Sequence, residues 1–405
     1  MLGSAMGVPV HSDQTRMIAR NAGSPKVSVE KYRGDKLKLF LCGDVMTGRG
    51  IDQILPRPSS PEIYESYLTS AEQYIEIAER VSGPIQRPVA YDYVWGDALA
   101  ILHSASPDVR IVNLETAITV SNDNWPGKHI NYRMHPDNLP VLSAAGIDCC
   151  VLANNHVLDW GYAGLEQTLR FLHQAGISTA GAGQDYSRAV SPALLEAHVG
   201  HRVIVLSMGL ITSGIGRAWA AGERQPGVWL LNDLSMASVE VIGKQVGTVK
   251  RPGDTVIASL HWGGNWGYSM PDEARQFAHA LVDHAGVDLV HGHSSHHPRG
   301  IEVYKNRLIL YGCGDFINDY EGIRGHENYR DDLRVMYLPE IDGVTGELAS
   351  MTMPVLQSHR FRLRNASNQD VQWLAGILDR ECRRLGNSRI EMCNGVLQVQ
   401  WESCR

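Results

Sequence analysis

Leu37-Lys38-Leu39-Phe40-Leu41-Cys42-Gly43-Asp44-Val45-Met46 is an apolar run that ends in a glycine and a carboxylate. A short run of this kind reads as a buried β-strand, Lys36–Leu41, with Gly43-Asp44 at its junction with a loop. The same design recurs four times. Val109–Val112 leads into Asn113-Leu114-Glu115, and Cys149–Ala153 into Asn154-Asn155-His156. Thr255–Leu260 leads into His261-Trp262, and Val287–Val290 into His291-Gly292-His293-Ser294-Ser295-His296-His297. Polar groups at the strand-to-loop junctions of one sheet converge on a rim, where open α/β proteins bind ligands. Asp, Glu, Asn and His offer oxygen and imidazole donors, which suit Mn, Fe, Zn or Ca better than thiolates would.

Outward from these junctions, helices are expected where apolar residues recur at helical spacing. Residues 60–82 carry Tyr64, Leu68, Ala71, Ile75 and Ala78 in that pattern. Tyr91–His103, Tyr162–Gln174, Met236–Gln245, Asp272–Ala285 and Val371–Leu385 read the same way. Ile301–Tyr311 reads as a hairpin around Lys305-Asn306, residues 334–363 as antiparallel strands, and Ile390–Trp401 as a terminal strand. Two irregular stretches are expected over the rim: 121–138, a candidate substrate lid with Trp125, Lys128, His129, Tyr132 and Arg133, and 209–232 with Trp219, Arg224 and Trp229. Strand–helix alternation followed by a β-rich tail predicts an α/β fold, a layered sheet sandwich flanked by helices. The expected organisation is an irregular arm over 1–35, a catalytic domain over 36–340, and C-terminal strands and a helix over 341–405 packed on it.

A net charge of -7 without a basic tract gives no footprint for nucleic acid or an anionic membrane. No segment approaches the roughly 20 apolar residues that span a bilayer, and Met1–Gly7 has no signal-peptide pattern. The seven cysteines lack metal-type spacing and read as reduced core thiols. The expectation is a soluble, cytoplasmic protein; no sequence pattern encodes its oligomeric state.

The ordered motifs Gly43-Asp44-Val45-Met46, Asn113-Leu114-Glu115, Asn154-Asn155-His156, His261-Trp262-Gly263 and Gly292-His293-Ser294-Ser295-His296 resemble those of the CapA family, the poly-γ-glutamate capsule synthesis proteins. That family is similar in fold to the calcineurin-like metallophosphoesterases, and the resemblance covers roughly residues 37–320. It implies one divalent metal ion without an organic cofactor, with Asp44, Glu115, Asn154, His261, His291 and His293 as candidate ligands. It places Asp44, His156, His261, His293 and His296 as candidate catalytic groups, with Asp159 and Asp315 behind them. Met46 stands where a dinuclear phosphoesterase has a ligand His, and Asn113-Leu114-Glu115 where it has a bridging Asp. Those departures weigh against two-metal phosphoester hydrolysis. Some CapA-like proteins of lasso-peptide biosynthesis invert the Cα of a peptide's C-terminal residue. The resemblance therefore implies a metal-dependent peptide epimerase using His/Asp acid–base chemistry. A metallophosphoesterase and a role in poly-γ-glutamate synthesis or release are the alternatives. Trp125, Arg133, Trp262 and Trp266 are the candidate contacts to the peptide. Asn154-Asn155-His156 also reads as a cap, and the tryptophans as packing.

Overall fold

Alternation along each central strand sorts its side chains into two cores. In this computed structural model, residues 36–197 and 200–402 are described; the arm expected over 1–35 and Cys404 lie outside them. Four strands, β1 (Lys36–Val45), β2 (Val109–Leu114), β3 (Cys149–Val151) and β4 (Ser178–Ala180), run parallel in one sheet. In a second sheet β5 (Arg202–Leu210), β6 (Thr255–His261) and β7 (Leu289–His293) run parallel. There β8 (Ile301–Tyr304) and β9 (Arg307–Leu310) form the edge hairpin.

Leu37, Leu39, Leu41, Ile111 and Val151 of the first sheet share one buried cluster with Val203, Val205, Ile257, Leu289 and Leu310 of the second. The intervening residues face outward onto helices: Phe40, Cys42, Val112 and Cys150 on one side, Ile204, Leu206, Ala258 and Val290 on the other. The period of two thus builds two sheets face to face with helices outside. On the first sheet lie α1 (Glu72–Ser82), α2 (Ala98–Ala105) and α3 (Gly161–Gln174), the last anchored by Leu165 and Leu172. On the second lie α4 (Met236–Val249) and α5 (Asp272–His284), anchored by Val239, Ile242 and Val246 and by Phe277 and Leu281. Each such side chain contributes about 1.5–3 kcal/mol by leaving water.

The chain returns to the first sheet after the hairpin. Strand β10 (Asp315–Ile317) pairs parallel with the end of β1. Strands β11 (Leu338–Asp342), β12 (Leu348–Met353), β13 (Ser388–Cys393) and β14 (Val396–Trp401) extend the sheet antiparallel, in the order β13-β14-β12-β11-β1-β2-β3-β4. Residues 340 and 341, between which the sequence places a boundary, both lie inside β11, where Glu340–Asp342 pair with Lys36–Lys38. The long helix α6 (Asn368–Leu385) begins at Ser367, whose hydroxyl accepts from the Asp370 N–H.

Three expectations are corrected. The helix read over Tyr91–His103 begins only at Ala98, after a run of turns over 91–97. The helix read over 60–82 begins only at Glu72; Glu65 is instead drawn inward to Arg49, and Glu62 bridges Ser70. The terminal strand is a hairpin, because Asn394-Gly395, both at positive φ, forms the tight turn favoured between twisted strands.

Candidate metal and acid–base site

Strand register assembles the site. Asp44 lies beside Asn113 on one flank and Asp315 on the other, and His261 lies beside His293. The β1 ladder is irregular between Leu41 and Asp44, a bulge that re-aims the carboxylate at the rim. Gly43 makes this possible: a Cβ there would lie 1.6 Å from the Gly314 carbonyl oxygen, and that carbonyl accepts from the Asp44 N–H at 2.9 Å. Asp44 is fully buried; its Oδ1 accepts from Asn113 Nδ2 at 2.7 Å, and its Oδ2 has no hydrogen-bond partner among the described residues.

The histidine tautomers follow from groups that can only accept. The Cys42 carbonyl, 2.8 Å from His291 Nε2, requires that nitrogen to donate. Neutral His291 then accepts at Nδ1 from the Ser259 hydroxyl at 3.1 Å, and Ser259 Oγ in turn accepts from His293 Nε2 at 2.9 Å. The remaining nitrogen of His293, Nδ1, therefore carries a lone pair. On the neighbouring strand β6 His261 Nε2 donates to Asn155 Oδ1 at 2.9 Å, so its Nδ1 carries a lone pair as well. These two Nδ1 atoms lie 2.8 Å apart, and His293 Nδ1 is 4.0 Å from Asp44 Oδ1. Two lone pairs aimed at each other beside a carboxylate repel unless a cation sits among them. Asp44, His261 and His293 are a buried set of donors whose ligand atoms lie within 4.8 Å of one another. Two imidazoles and a carboxylate are compatible with a divalent ion such as Zn, Mn or Fe. A second such group, Asp44, His296 and Asp315, shares the same aspartate.

Two His–Asp pairs adjoin this centre. His156 Nδ1 is 2.6 Å from Asp159 Oδ2, and His296 Nδ1 is 2.8 Å from Asp315 Oδ1. Their environments push them apart. Burial carries His156 down to about 4, despite Asp159, so it is neutral at pH 7. Burial also pulls His296 down, but the charge and hydrogen bond of Asp315, together with the charge of Asp44, outweigh this and hold it above the ordinary imidazole value. Lys128 lies beside the first pair, its Nζ 2.7 Å from Asp159 Oδ1. Asn318 supports the second: it donates to Asp315 Oδ2 at 2.6 Å and accepts from Arg334 at 2.7 Å. Glu115 Oε1 is 3.7 Å from His156 Nε2. Burial first and the Asp44 charge second raise Glu115 well above the carboxylate range; burial and then Asp315 raise Asp44 to about 7.

The structure thus brings Asp44, Glu115, His156, His261, His293 and His296 together. His291 and Asn154 are corrected as metal-ligand candidates, because their atoms are spent. Both nitrogens of His291 are hydrogen-bonded, and Asn154 Oδ1 accepts from the His156 and Val157 N–H groups while its Nδ2 donates to Asn113 Oδ1 and the Leu114 carbonyl. Trp262 is corrected as a peptide contact: it is buried, its N–H donates to the Tyr311 carbonyl, and its ring stacks on Tyr311. Arg133 is also committed, to the Ser121 and Ser60 carbonyls and Asn122, over the face of Trp160. Trp125 joins the two loops, edge-on to Trp219 and Tyr162. Trp266 is half-buried, 5.5 Å from the His296 ring and stacked on His326.

Sequence reasoning missed Ser259 and Asn155 as tautomer-setting partners. It also missed the run Asn318-Asp319-Tyr320. That run follows the short apolar pair Phe316-Ile317, so the design of the other clusters would have marked it.

Burial holds the two ligand imidazoles, His261 and His293, well below the ordinary value and so neutral near pH 7, and the proton displaced by a cation is the one held by Asp44. Below about pH 7 metal affinity is expected to fall by up to tenfold per pH unit. Calorimetry in buffers of different ionisation enthalpy reads the released proton. Affinity that is flat from pH 5.5 to 7 contradicts the assignment.

Comparisons with known proteins agree with the motif order. The family described as bacterial capsule synthesis protein PGA_cap matches residues 38–320. A probable polyglutamine synthesis accessory protein of Mycobacterium tuberculosis is 47% identical over 90% of this chain and 96% of its own length. The PGA biosynthesis protein CapA of Bacillus subtilis is 29% identical over 79% of this chain and 72% of its own. Among solved structures, a novel phosphatase from Mycoplasma pneumoniae aligns with 81% of this chain and 96% of its own at a TM-score of 0.42 and 12% identity. No helix among the described residues is long and apolar enough to cross a membrane. With seven-tenths of its length matched and a near relative aligned almost end to end, the chain belongs to the bacterial capsule synthesis PGA_cap family.

Proposed function

We propose that the protein is a metal-dependent enzyme that works on a glutamate- or glutamine-containing polymer during its synthesis, cleaving or transferring at a carbonyl centre. The observation that carries the metal is the pair of facing Nδ1 lone pairs of His261 and His293 beside Asp44. The substrate class follows the names of the relatives, which are described as accessory to polyglutamine synthesis and as a PGA biosynthesis protein. A divalent cation held by Asp44, His261 and His293 supplies Lewis-acid polarisation of a substrate oxygen.

The remaining chemistry belongs to the two pairs. His156, neutral and oriented by Asp159, accepts a proton at Nε2. His296, held above the ordinary imidazole value and oriented by Asp315, donates one to the departing group. Two imidazoles pushed in opposite directions from the ordinary value are what an acid–base division of labour requires. Asn113 fixes Asp44, and Lys128 fixes Asp159.

The test is incubation of the metal-loaded protein with poly-γ-glutamate and with polyglutamine, following new amino termini. Turnover that falls about 100- to 10,000-fold in His156→Ala and in His296→Ala supports the reading. Metal uptake without turnover of either polymer sinks it.

The opposed shifts of His156 and His296 also favour a second reading, Cα inversion of a peptide's C-terminal residue, in which one imidazole removes the proton and the other returns it. Neither relative described above is named for epimerisation. Deuterium gained at a C-terminal Cα in D2O would select this reading, and its absence from candidate peptides would retire it.

A further inference from the structure

The two His–Asp pairs are spanned by a pair of hydroxyls. Tyr132, in the loop over 121–138, sets its ring edge-on to His156 at 4.5 Å and 86°. Tyr320, just after β10, sets its ring edge-on to His296 at 5.4 Å and 68°. The two phenolic oxygens are 2.9 Å apart, with Tyr132 donating to Tyr320.

The hydroxyl pair is held from behind by an unusual buried cation. The Arg49 guanidinium lies 3.8 Å from the Tyr74 ring centroid, 4.4 Å from that of Tyr132 and 5.7 Å from that of Tyr320. Its Nε is 3.0 Å from Asp319 Oδ2 and its Nη1 2.8 Å from Glu65 Oε1. The backbone of Arg49 sits at φ 48°, ψ −124°, where a residue with a Cβ is strained by about 1–3 kcal/mol. Such strain persists only when the surroundings over-determine it, and two buried carboxylates and three tyrosines do so here.

The environments of the hydroxyls differ. Tyr132 is fully buried and spends its proton on Tyr320, whereas Tyr320 is only half-buried. Among the described residues nothing accepts the Tyr320 proton. That hydroxyl is polarised by the one behind it, and a chain of this kind strengthens the terminal donor.

We propose that Tyr320 donates a hydrogen bond to the substrate oxygen on which negative charge develops, and that Tyr132 is a positioning residue acting through it. This rests on the site being the acid–base centre described above. The assignment holds for a tetrahedral intermediate and for an enolate, since both place charge on an oxygen.

The test uses the full chain loaded with Mn2+ and tungstate as the oxyanion probe, read by calorimetry. Tyr320→Phe is expected to weaken tungstate binding about 10- to 100-fold, the loss of a hydrogen bond to a charged group, with metal content and melting temperature unchanged. Tyr132→Phe is expected to weaken it less, by about 3- to 10-fold, and to add nothing in the Tyr320→Phe background. A purely structural role would give additive losses. Wild-type protein that takes up no Mn2+ overturns the proposed function and this inference together. Wild-type protein that takes up Mn2+ but binds no tungstate, or Tyr320→Phe that binds it as tightly as wild type, overturns the inference alone. Loss of metal or of folding stability in Tyr320→Phe also overturns it, because the hydroxyl would then be structural.

Discussion

Asp44→Asn is expected to abolish metal binding while leaving the metal-free fold intact. Both buried groups of donors draw on this one carboxylate. The amide keeps its shape and its contact with Asn113, but not its charge. Ligand loss should exceed the roughly 10- to 100-fold drop seen when a supporting hydrogen bond is removed from a metal site. Bound metal stabilises the folded state by about 2.7 kcal/mol at a hundredfold excess over its dissociation constant, and this increment should vanish in the variant. The metal-free variant should melt no lower than wild type, because a buried carboxylate beside Asp315 and Glu115 is itself unfavourable. A variant that still gains stability on metal addition would show that Asp44 is not a ligand. A variant that melts early without metal would show that the carboxylate is structural.

Gly43→Ala is expected to be the most damaging single methyl group in the chain's active rim. The Gly314 carbonyl oxygen would stand 1.6 Å from the new Cβ, and that carbonyl belongs to backbone that cannot swing aside. Separating β1 from the 313–314 segment breaks the Asp44 N–H bond to Gly314 and displaces Asp44 from Asp315. A cost of about 3 kcal/mol or more is expected, at the upper end for overpacking. Gly376 is the control. It lies inside α6, and a methyl group added there would meet nothing within 4 Å. Gly376→Ala should therefore stabilise the protein by about 0.5–1 kcal/mol through helix propensity. Urea unfolding of the two variants checks the opposite signs, and equal midpoints would refute the steric account.

The sandwich was legible because its strands announce themselves. From Leu39 to Cys42 β1 is apolar on both faces, as are Cys149–Ala153 and Thr255–Leu260, as a strand between a sheet and a helix layer must be. The polar junctions were legible for the same reason: Asp44, His156, His261 and His293 break apolar runs where parallel strands end. What spacing does not show is how a side chain divides its atoms. His291 and His293 look alike in sequence, yet their positions along β7 give them different partners. One nitrogen of His291 reaches the Cys42 carbonyl, and one of His293 faces His261. Asn154 and Asn155 differ likewise: the first closes its own turn, and the second fixes a histidine across the interface. Arg133 and Trp262 carried the right chemistry for a peptide contact, but long-range packing consumed their polar atoms first. The Arg49 cluster joins positions 49, 65, 74 and 319, a separation that no local pattern reveals.

The provenance of the donors has a mechanical consequence. Asp44 hangs from the first sheet, whereas His261 and His293 hang from the second. An ion held by all three is a rivet through the sandwich, fastening two layers that otherwise adhere mainly by apolar contact. Chelation should then loosen the seam itself, speeding amide exchange in β1 and β7 together, far beyond the few residues that touch the ion.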